Sequence, residues 1–555
     1  MGKKVVIVGG VAGGAGTAAR LRRLDESCEI ILLERGEHIS YANCGLPYYI
    51  GGVIKDRNRL FVMTREKFMA WFNVDVRTSC EAVAIDRARR RVEIENKLTG
   101  ERSYEDYDYL VLSPGAEPLK PPLPGIEHPA VFTLRTVPET DRIYRFLRER
   151  KPRKAVIVGG GFIGVEMAEN LHVRGMDVAL VEMTPQILPF LDWEMAAHVQ
   201  QHLRQKGVEL VLGDGVAGFA DGKSSAIAVA LQSGRVLEAD FVLLAAGVRP
   251  EVRLAREAGL EVDRGIIVNE YLQTSDPHIY ALGDAIEVTD FVTGKRIHLP
   301  LAGPANKQGR IVANNIAGRP EKFTAVQGTA VLKAFALTVA ATGAGERALR
   351  EAGISYCSCI LHPASHADYY PGSSRMVLKL LFGRQGQLYG AQAVGGAGVD
   401  KRIDVLAAAI RLHATVADLK QLELTYAPPF SSAKDPVNMA GYVAENMLAG
   451  DVQIITAEEL LAGAGEGRQL VDVREAGECS HGQIPGAVNI PLGQLRRRLG
   501  ELDPSKETIV YCAAGLRSYL AYRILVQHGF TQVRSLNGGY LHYQVLENEK
   551  QAAKQ

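Results

Sequence analysis

Twice in this chain a short β-branched run breaks into a glycine-rich turn, passes into a helical pattern, and returns through a second β-run that ends on glutamate. The first unit is Lys4 to Val8, then Gly9-Gly10-Val11-Ala12-Gly13-Gly14, a helix predicted from Ala15 to Leu24, and Ile30 to Leu33 closing on Glu34. The second is Lys154 to Val158, then Gly159-Gly160-Gly161-Phe162-Ile163-Gly164, a helix predicted from Val165 to Arg174, and Asp177 to Val181 closing on Glu182. Continuous apolar runs of this length read as buried parallel strands. Parallel strands joined through a helix commit the chain to an α/β fold. A loop poor in side chains lets backbone N–H groups approach a pyrophosphate at a helix N-terminus. A carboxylate about 20 residues further on can accept from a ribose hydroxyl. Gly159, Gly161 and Gly164 match G-x-G-x-x-G in full; the first loop departs from it, with Val11 where the second glycine normally lies. Glu182 suits a free ribose 2′-hydroxyl and repels a 2′-phosphate, which favours NADH over NADPH. Two such units need two dinucleotides, and the economical pairing is a flavin with a nicotinamide.

Between the two units lies Ser40-Tyr41-Ala42-Asn43-Cys44-Gly45-Leu46-Pro47-Tyr48. Free cysteine is more often a packed core residue than a reactive one. Following a nucleotide-binding unit, Cys44 reads instead as the redox-active sulfur of a flavin enzyme. The position five residues beyond it is Tyr49, so no resolving cysteine stands nearby. Its sulfur must then pair with a substrate thiol, or with oxygen as a sulfenic acid. Arg20, Arg22 and Arg23 on the first helix are either a solvated face or a cationic patch for a phosphorylated substrate.

The chain has 555 residues, enough for three or four domains. A formal net charge of +1 gives no reason to expect nucleic acid or an anionic membrane as partner. No apolar run reaches membrane-span length, and the start of the chain enters a strand pattern without a secretory leader. Seven scattered cysteines without a C-x-x-C pair suit a reducing cytoplasm. Cys357, Cys359 and Cys479 read as structural or incidental.

With these motifs the sequence resembles the pyridine nucleotide–disulfide oxidoreductase family. Leu110-Val111-Leu112-Ser113-Pro114-Gly115-Ala116 looks like the return that closes the first nucleotide domain, and Val242 to Pro250 like its counterpart after the second. Thr274 to Asp284 looks like the family's second FAD motif. The resemblance implies that Asp284 bonds the ribitol chain of FAD; an aspartate there could equally cap a helix. It also implies cofactor contacts at Gly9, Gly10, Gly13, Gly14, Glu34, Arg35, Ser113, Gly115, Ala302, Gly159, Gly161, Gly164, Glu182 and Gly247. Ser40 to Tyr48 and Leu424 to Pro436 are similar to the coenzyme A disulfide reductase group. That likeness implies coenzyme A as substrate or bound thiol, held by Arg20, Arg23, Ser40, Asn43 and Lys434. It further implies a homodimer in which Tyr426 reaches the partner's cysteine, with Tyr369 and Tyr370 near it. Interface packing is the alternative use of these tyrosines. Two departures stand out: no basic residue lies at Trp71-Phe72, and Asn306 replaces the histidine of one branch.

The tail resembles a rhodanese domain. The strand Thr508 to Tyr511 runs into Cys512-Ala513-Ala514-Gly515-Leu516-Arg517-Ser518 and then a helix. A thiol facing converging N–H groups is a nucleophile that can carry a persulfide, and Arg517 adds positive charge. The expected architecture is α/β: two Rossmann-like dinucleotide-binding domains, an α+β dimerisation domain and a C-terminal α/β rhodanese domain. The expected ranges are 1–120 with 246–325 for FAD, 121–245 for NAD(P)H, 326–448 for dimerisation, a 449–454 linker and 455–550 for rhodanese. The resulting expectation is a cytoplasmic, FAD-dependent NAD(P)H reductase of persulfide, polysulfide or coenzyme A disulfide, with Cys44 and Cys512 as its two working thiols. The alternatives are an NADH oxidase or peroxidase using a Cys44 sulfenic acid, and a redox-sensing or sulfur-carrier protein.

Overall fold

A computed structural model describes residues 2–463 and 467–553; Met1 and residues 464–466, inside the expected domain ranges, lie outside the described residues. The chain forms two compact units, Met1–Met183 with Gly213–Val326, and Thr184–Leu212 with Gln327–Gln555.

In the first unit, Lys4–Val8 is the middle strand of a parallel sheet ordered Ile279–Ala281, Tyr109–Leu112, Lys4–Val8, Glu29–Glu34, Asp75–Thr78. Val5, Val6 and Ile7 are fully buried, as a strand covered on both faces requires. The strand order reverses at Lys4–Val8, and ligands of open α/β sheets bind at the carboxyl end of such a switch point. The second nucleotide fold repeats the plan: Lys154–Val158 pairs in parallel with Asp177–Glu182 on one side and Phe241–Leu244 on the other. Arg22, expected on a solvated or ligand-facing patch, is 4% exposed. Its guanidinium donates to the carbonyls of Phe72, Asp25, Glu26, Cys28 and Asn73, so it clamps the end of its own helix to two turns.

In the second unit, an antiparallel sheet runs Ala330–Ala334, Leu337–Gly343, Leu388–Gly395, Met376–Phe382, Cys357–Leu361. All seven residues of Met376–Phe382 are buried. A second, parallel sheet runs Ile454–Ile455, Val533–Leu536, Thr508–Tyr511, Gln469–Asp472, Val488–Asn489. The segment expected as a linker is pinned: Val452 is buried and Asp451 accepts from Arg523 at 2.7 Å.

Three histidines meet where the helix Trp193–Gln205 packs on the helix Gly539–Ala552. His198 Nε2 and His542 Nδ1 lie 3.0 Å apart, and the His362 ring centroid stands 6.1 and 6.2 Å from theirs. Burial, reinforced by their mutual repulsion, lowers His198 to about 3 and His542 well below its ordinary value; burial, with Arg375 nearby, lowers His362 to about 4. Below pH 6.5 the unfolded chain therefore binds more protons than the folded one. Stability is complete above that pH and declines as the pH falls towards these values, by roughly 1.4 kcal/mol per pH unit for each histidine. The urea midpoint of the wild type is expected to drop between pH 7 and 5. A His198→Gln/His542→Gln variant should show a flatter profile; equal slopes would locate the acid sensitivity elsewhere.

Candidate active site

The two glycine turns have the shape that their sequences predict. Gly9 (φ 100°) and Gly159 (φ 111°) sit in left-handed backbone, and a Cβ on either would strike the carbonyl of Ser113 or Ala245, at 2.0 and 2.3 Å. A Cβ on Gly161 would meet nothing within 4 Å, so that glycine keeps open space in front of the loop. Val11 has φ −98°, which any residue adopts, and this explains how the first turn tolerates the departure. The first helix begins at Ala12, earlier than the predicted Ala15, and the second at Phe162. Glu34 accepts from Gly10 N at 2.8 Å and Glu182 from Gly160 N at 2.7 Å, so each acid braces its own loop. A carboxylate has further lone pairs with which to receive a ribose hydroxyl. Both cradles thus fit a dinucleotide pyrophosphate. A cleft beside the first is lined by Gly9, Glu34, Arg35, Pro114 and Glu251. Arg35 is paired with Glu117 at 2.9 Å.

Asp284 does not cap a helix. It lies inside the short turn Gly283–Ala285, and its carboxylate accepts from Arg135 Nη2 at 3.1 Å. Arg135 also donates to Ala116 O at 3.1 Å, while its own carbonyl accepts from Asn43 Nδ2 at 3.1 Å. Arg135 therefore ties together Asp284, the return loop at Ser113–Ala116 and the Cys44 turn. No spacing rule points to it.

Cys44 is exposed on a 3₁₀ turn, Asn43–Gly45, that runs into the short helix Leu46–Ile50. Crowding by the surrounding protein pushes the thiol above its ordinary value, helped by Glu166 and Asp284 and opposed by Arg135. Ser40, just before, holds a left-handed φ of 48°. The turn is clamped to the helix Phe162–Val173: Tyr48 Oη donates to Glu166 Oε1 at 3.1 Å, and Arg174 donates to Ile50 O. A Cβ on Gly51 would come within 1.8 Å of Asn170 Oδ1, so this approach depends on glycine.

In the second unit, the hydroxyls of Tyr369 and Tyr426 lie 3.1 Å apart, with the two side chains 75% and 48% exposed. One O–H is used between them, which leaves the other free to face outward. Tyr370 turns instead towards His366, with ring centroids 5.9 Å apart. The two tyrosine loops are held by Arg402, which is 1% exposed and donates to Ser365 O, Ser431 Oγ and Asp435 Oδ2, each at 3.0 Å.

Cys512 follows the strand Thr508–Tyr511 and is 2% exposed. Gly515 N donates to its sulfur at 3.1 Å, and the helix Leu516–Gln527 starts immediately after. Arg517 lies beside Cys512, and its charge is shared with an acid. Glu478 takes it bidentately at 2.5 and 2.7 Å, and that pairing holds Glu478 down to about 2. Cys479, next to Glu478, donates to Asp472 at 3.4 Å, which fits a structural role.

Of the proposed coenzyme A contacts, Arg23 and Lys434 are exposed, and Arg20 is bonded to Asn314 at 3.0 Å. Ala302 opens the helix Ala302–Ile316, and Gly247 (φ 104°) has no neighbour within 4 Å of its Cβ position.

The profile of the pyridine nucleotide-disulphide oxidoreductase family matches residues 3–309, its dimerisation domain residues 329–436, and the rhodanese-like domain residues 456–545. An NADH oxidase of Methanocaldococcus jannaschii is 36% identical over 79% of this chain and 97% of its own. A coenzyme A disulfide reductase of Staphylococcus aureus is 35% identical over 80% and 100%. The solved structure of reduced CoADR-RHD from Bacillus anthracis superposes with a TM-score of 0.96 at 49% identity, covering 99% of both chains. That of an NAD-dependent persulfide reductase from A. fulgidus gives 0.92 at 39%, covering 97% and 99%.

Proposed function

The chain belongs to the pyridine nucleotide–disulphide oxidoreductase family, an FAD- and NAD(H)-dependent family, and we propose that it reduces sulfane sulfur carried by coenzyme A persulfide, polysulfide or coenzyme A disulfide. The carrying observation is a pair of chemically different thiols. Cys44 is open to solvent, with no second cysteine in its turn, while Cys512 is buried against a backbone N–H. A lone exposed thiol cannot close a disulfide within its own turn, so its partner sulfur comes from the substrate. A buried thiol facing an N–H donor suits transient storage of a persulfide.

In this reading the Cys44 thiolate attacks the outer sulfur of R–S–SH. The substrate S–S bond breaks, a Cys44 persulfide forms and RS⁻ leaves. Two electrons from NADH and one proton then regenerate the thiolate and release H₂S. Bound FAD supplies the two-electron link between nicotinamide and sulfur. Gly9, Gly10, Gly13, Gly14, Glu34 and Asp284 belong to its site, and Gly159, Gly161, Gly164 and Glu182 to that of NADH. Arg20, Arg23, Ser40, Asn43 and Lys434 take the coenzyme A portion. The chain works as a cytoplasmic homodimer, with Tyr426 and Tyr369 steadying the partner subunit's thiolate. The domain ranges expected from the sequence stand as part of the same proposal. Likeness to an NADH oxidase favours one second reading, a Cys44 sulfenic acid cycling with oxygen or peroxide.

The test is anaerobic NADH oxidation with coenzyme A persulfide, polysulfide and coenzyme A disulfide, set against oxygen and peroxide. Sulfur substrates should dominate, and Cys512→Ser should lose activity with some sulfur donors while keeping it with others. Dominance of oxygen or peroxide, unaffected by Cys512→Ser, would establish the second reading.

A further inference from the structure

The turn carrying Cys44 also carries a hydroxyl with an unusual partner. Cys44 and Tyr48 are four residues apart along the helical stretch made by Asn43–Gly45 and Leu46–Ile50, so their side chains leave the same side of it. The Tyr48 hydroxyl donates to Glu166 Oε1 at 3.1 Å. Glu166 is half-buried near the start of the helix that follows the second glycine turn, close enough for its charge to bear on Cys44. The ionisable groups facing this cluster are Glu169 on the same helix, Arg135 beyond the strand Val131–Phe132, and Asp284. Of the cations beside this turn, Arg135 is taken by Asp284 and Ala116 O, and Arg174 by Ile50 O. Among the described residues no cation pairs with Glu166. A half-buried carboxyl that faces another carboxyl without a counter-ion holds its proton to higher pH than a free one.

We propose that Glu166 and Tyr48 form a proton relay to the thiol that Cys44 displaces from its substrate. The relay rests on the function proposed above. As Cys44 attacks R–S–SH, the substrate S–S bond breaks and the Cys44 S–S bond forms. When Glu166 is protonated the bond between the two reverses, its O–H donating to Tyr48 Oη and the phenolic proton turning to the departing RS⁻. RS⁻ takes that proton, the Glu166 carboxylic acid reprotonates the phenolate, and solvent reloads the carboxylate. No electrons move in this step; those of NADH enter afterwards, at the Cys44 persulfide. Burial, with Glu169 beside it, raises Glu166 above the ordinary carboxylate range against the pull of the Tyr48 hydrogen bond. Tyr48 is the catalytic residue of the pair, and Glu166 acts through it.

The experiment is single-turnover sulfur transfer to Cys44 in the holoenzyme, with two probes. Coenzyme A persulfide expels a basic alkyl thiolate that needs a proton; the mixed disulfide of coenzyme A with thionitrobenzoate expels an aryl thiolate that does not. Tyr48→Phe and Glu166→Gln should slow the first about 100-fold, the lower range for general acid catalysis, and leave the second within about threefold. Glu166→Asp should restore part of the loss. Tyr426→Phe, placed at the thiolate, should slow both probes alike. Alkylation of Cys44 by iodoacetamide gives a readout without turnover: at the alkaline pH where the thiol titrates Glu166 is ionised and holds the thiol up, so Glu166→Gln moves the profile to lower pH. Equal losses with both probes, or no loss with either, would overturn the relay and leave the proposed function standing. A wild-type enzyme that accepts neither probe would overturn both.

Discussion

Cys44→Ser is expected to abolish turnover with every sulfur substrate, by at least ~10³-fold, as loss of a covalent nucleophile does. A serine hydroxyl at this place has no strong base against it: Glu166 is already bonded to Tyr48, and Arg135 to Asp284. The loss should be confined to one half of the reaction. NADH should still bleach the flavin at close to the wild-type rate in stopped flow, because neither glycine cradle involves Cys44. Reoxidation by persulfide should then fail. Persistence of sulfur-dependent reoxidation would assign the chemistry to another thiol, and Cys512→Ser in the same background would identify it.

Lys379→Met is expected to be the most destabilising single substitution in the second unit, at about 3–5 kcal/mol, the range for removing one partner of a buried ion pair. The Lys379 side chain is fully buried and donates to Asp192 and Glu346, each at 2.7 Å, and to Glu194. Burial opposes its charge, but Glu194, Asp192 and Glu346 outweigh that and hold the ammonium above the ordinary lysine range. Burial raises Glu194 to about 7 even with Lys379 beside it. Without the lysine the three acids repel one another in a desolvated site. Burial and mutual repulsion then disfavour ionisation of the cluster, so the variant is least stable at high pH and recovers as acid protonates the cluster. Urea denaturation at pH 8 and pH 5.5 checks this: the deficit should be several kcal/mol at the first and smaller at the second. A deficit independent of pH would mean that lost packing, not stranded charge, is responsible.

Features carried by contiguous residues are legible in the sequence. The two βαβ units, the glycine turns, the Cys44 stretch and the Cys512 loop each announce themselves through spacing, because backbone sign, strand period and helix start are local properties. The first turn is legible despite Val11, since that position demands space and not a positive φ. Arg22 is not, because charge alone cannot tell a solvated arginine from one spent on five carbonyls. Nor is the partner of Asp284: the sequence offers a flavin contact or a helix cap, and only the fold brings Arg135 to its carboxylate.

The residues on which the sequence is silent share one property. Tyr48 and Glu166 are 118 residues apart, and Lys379 and Asp192 are 187 apart. Arg135 meets Asp284 across 149 residues. Such pairs have no period or motif, because a hydrogen bond between distant segments is set by how sheets and helices stack, after each has formed. The sequence by itself determined the nucleotide folds, the two thiols and the class of chemistry, since these depend on local backbone geometry and on which atoms are present. Only the tertiary structure decided which groups surround Cys44, which carboxyl beside it has no cation among the described residues, and which lysine is buried among acids, because those depend on distance and on exclusion of water.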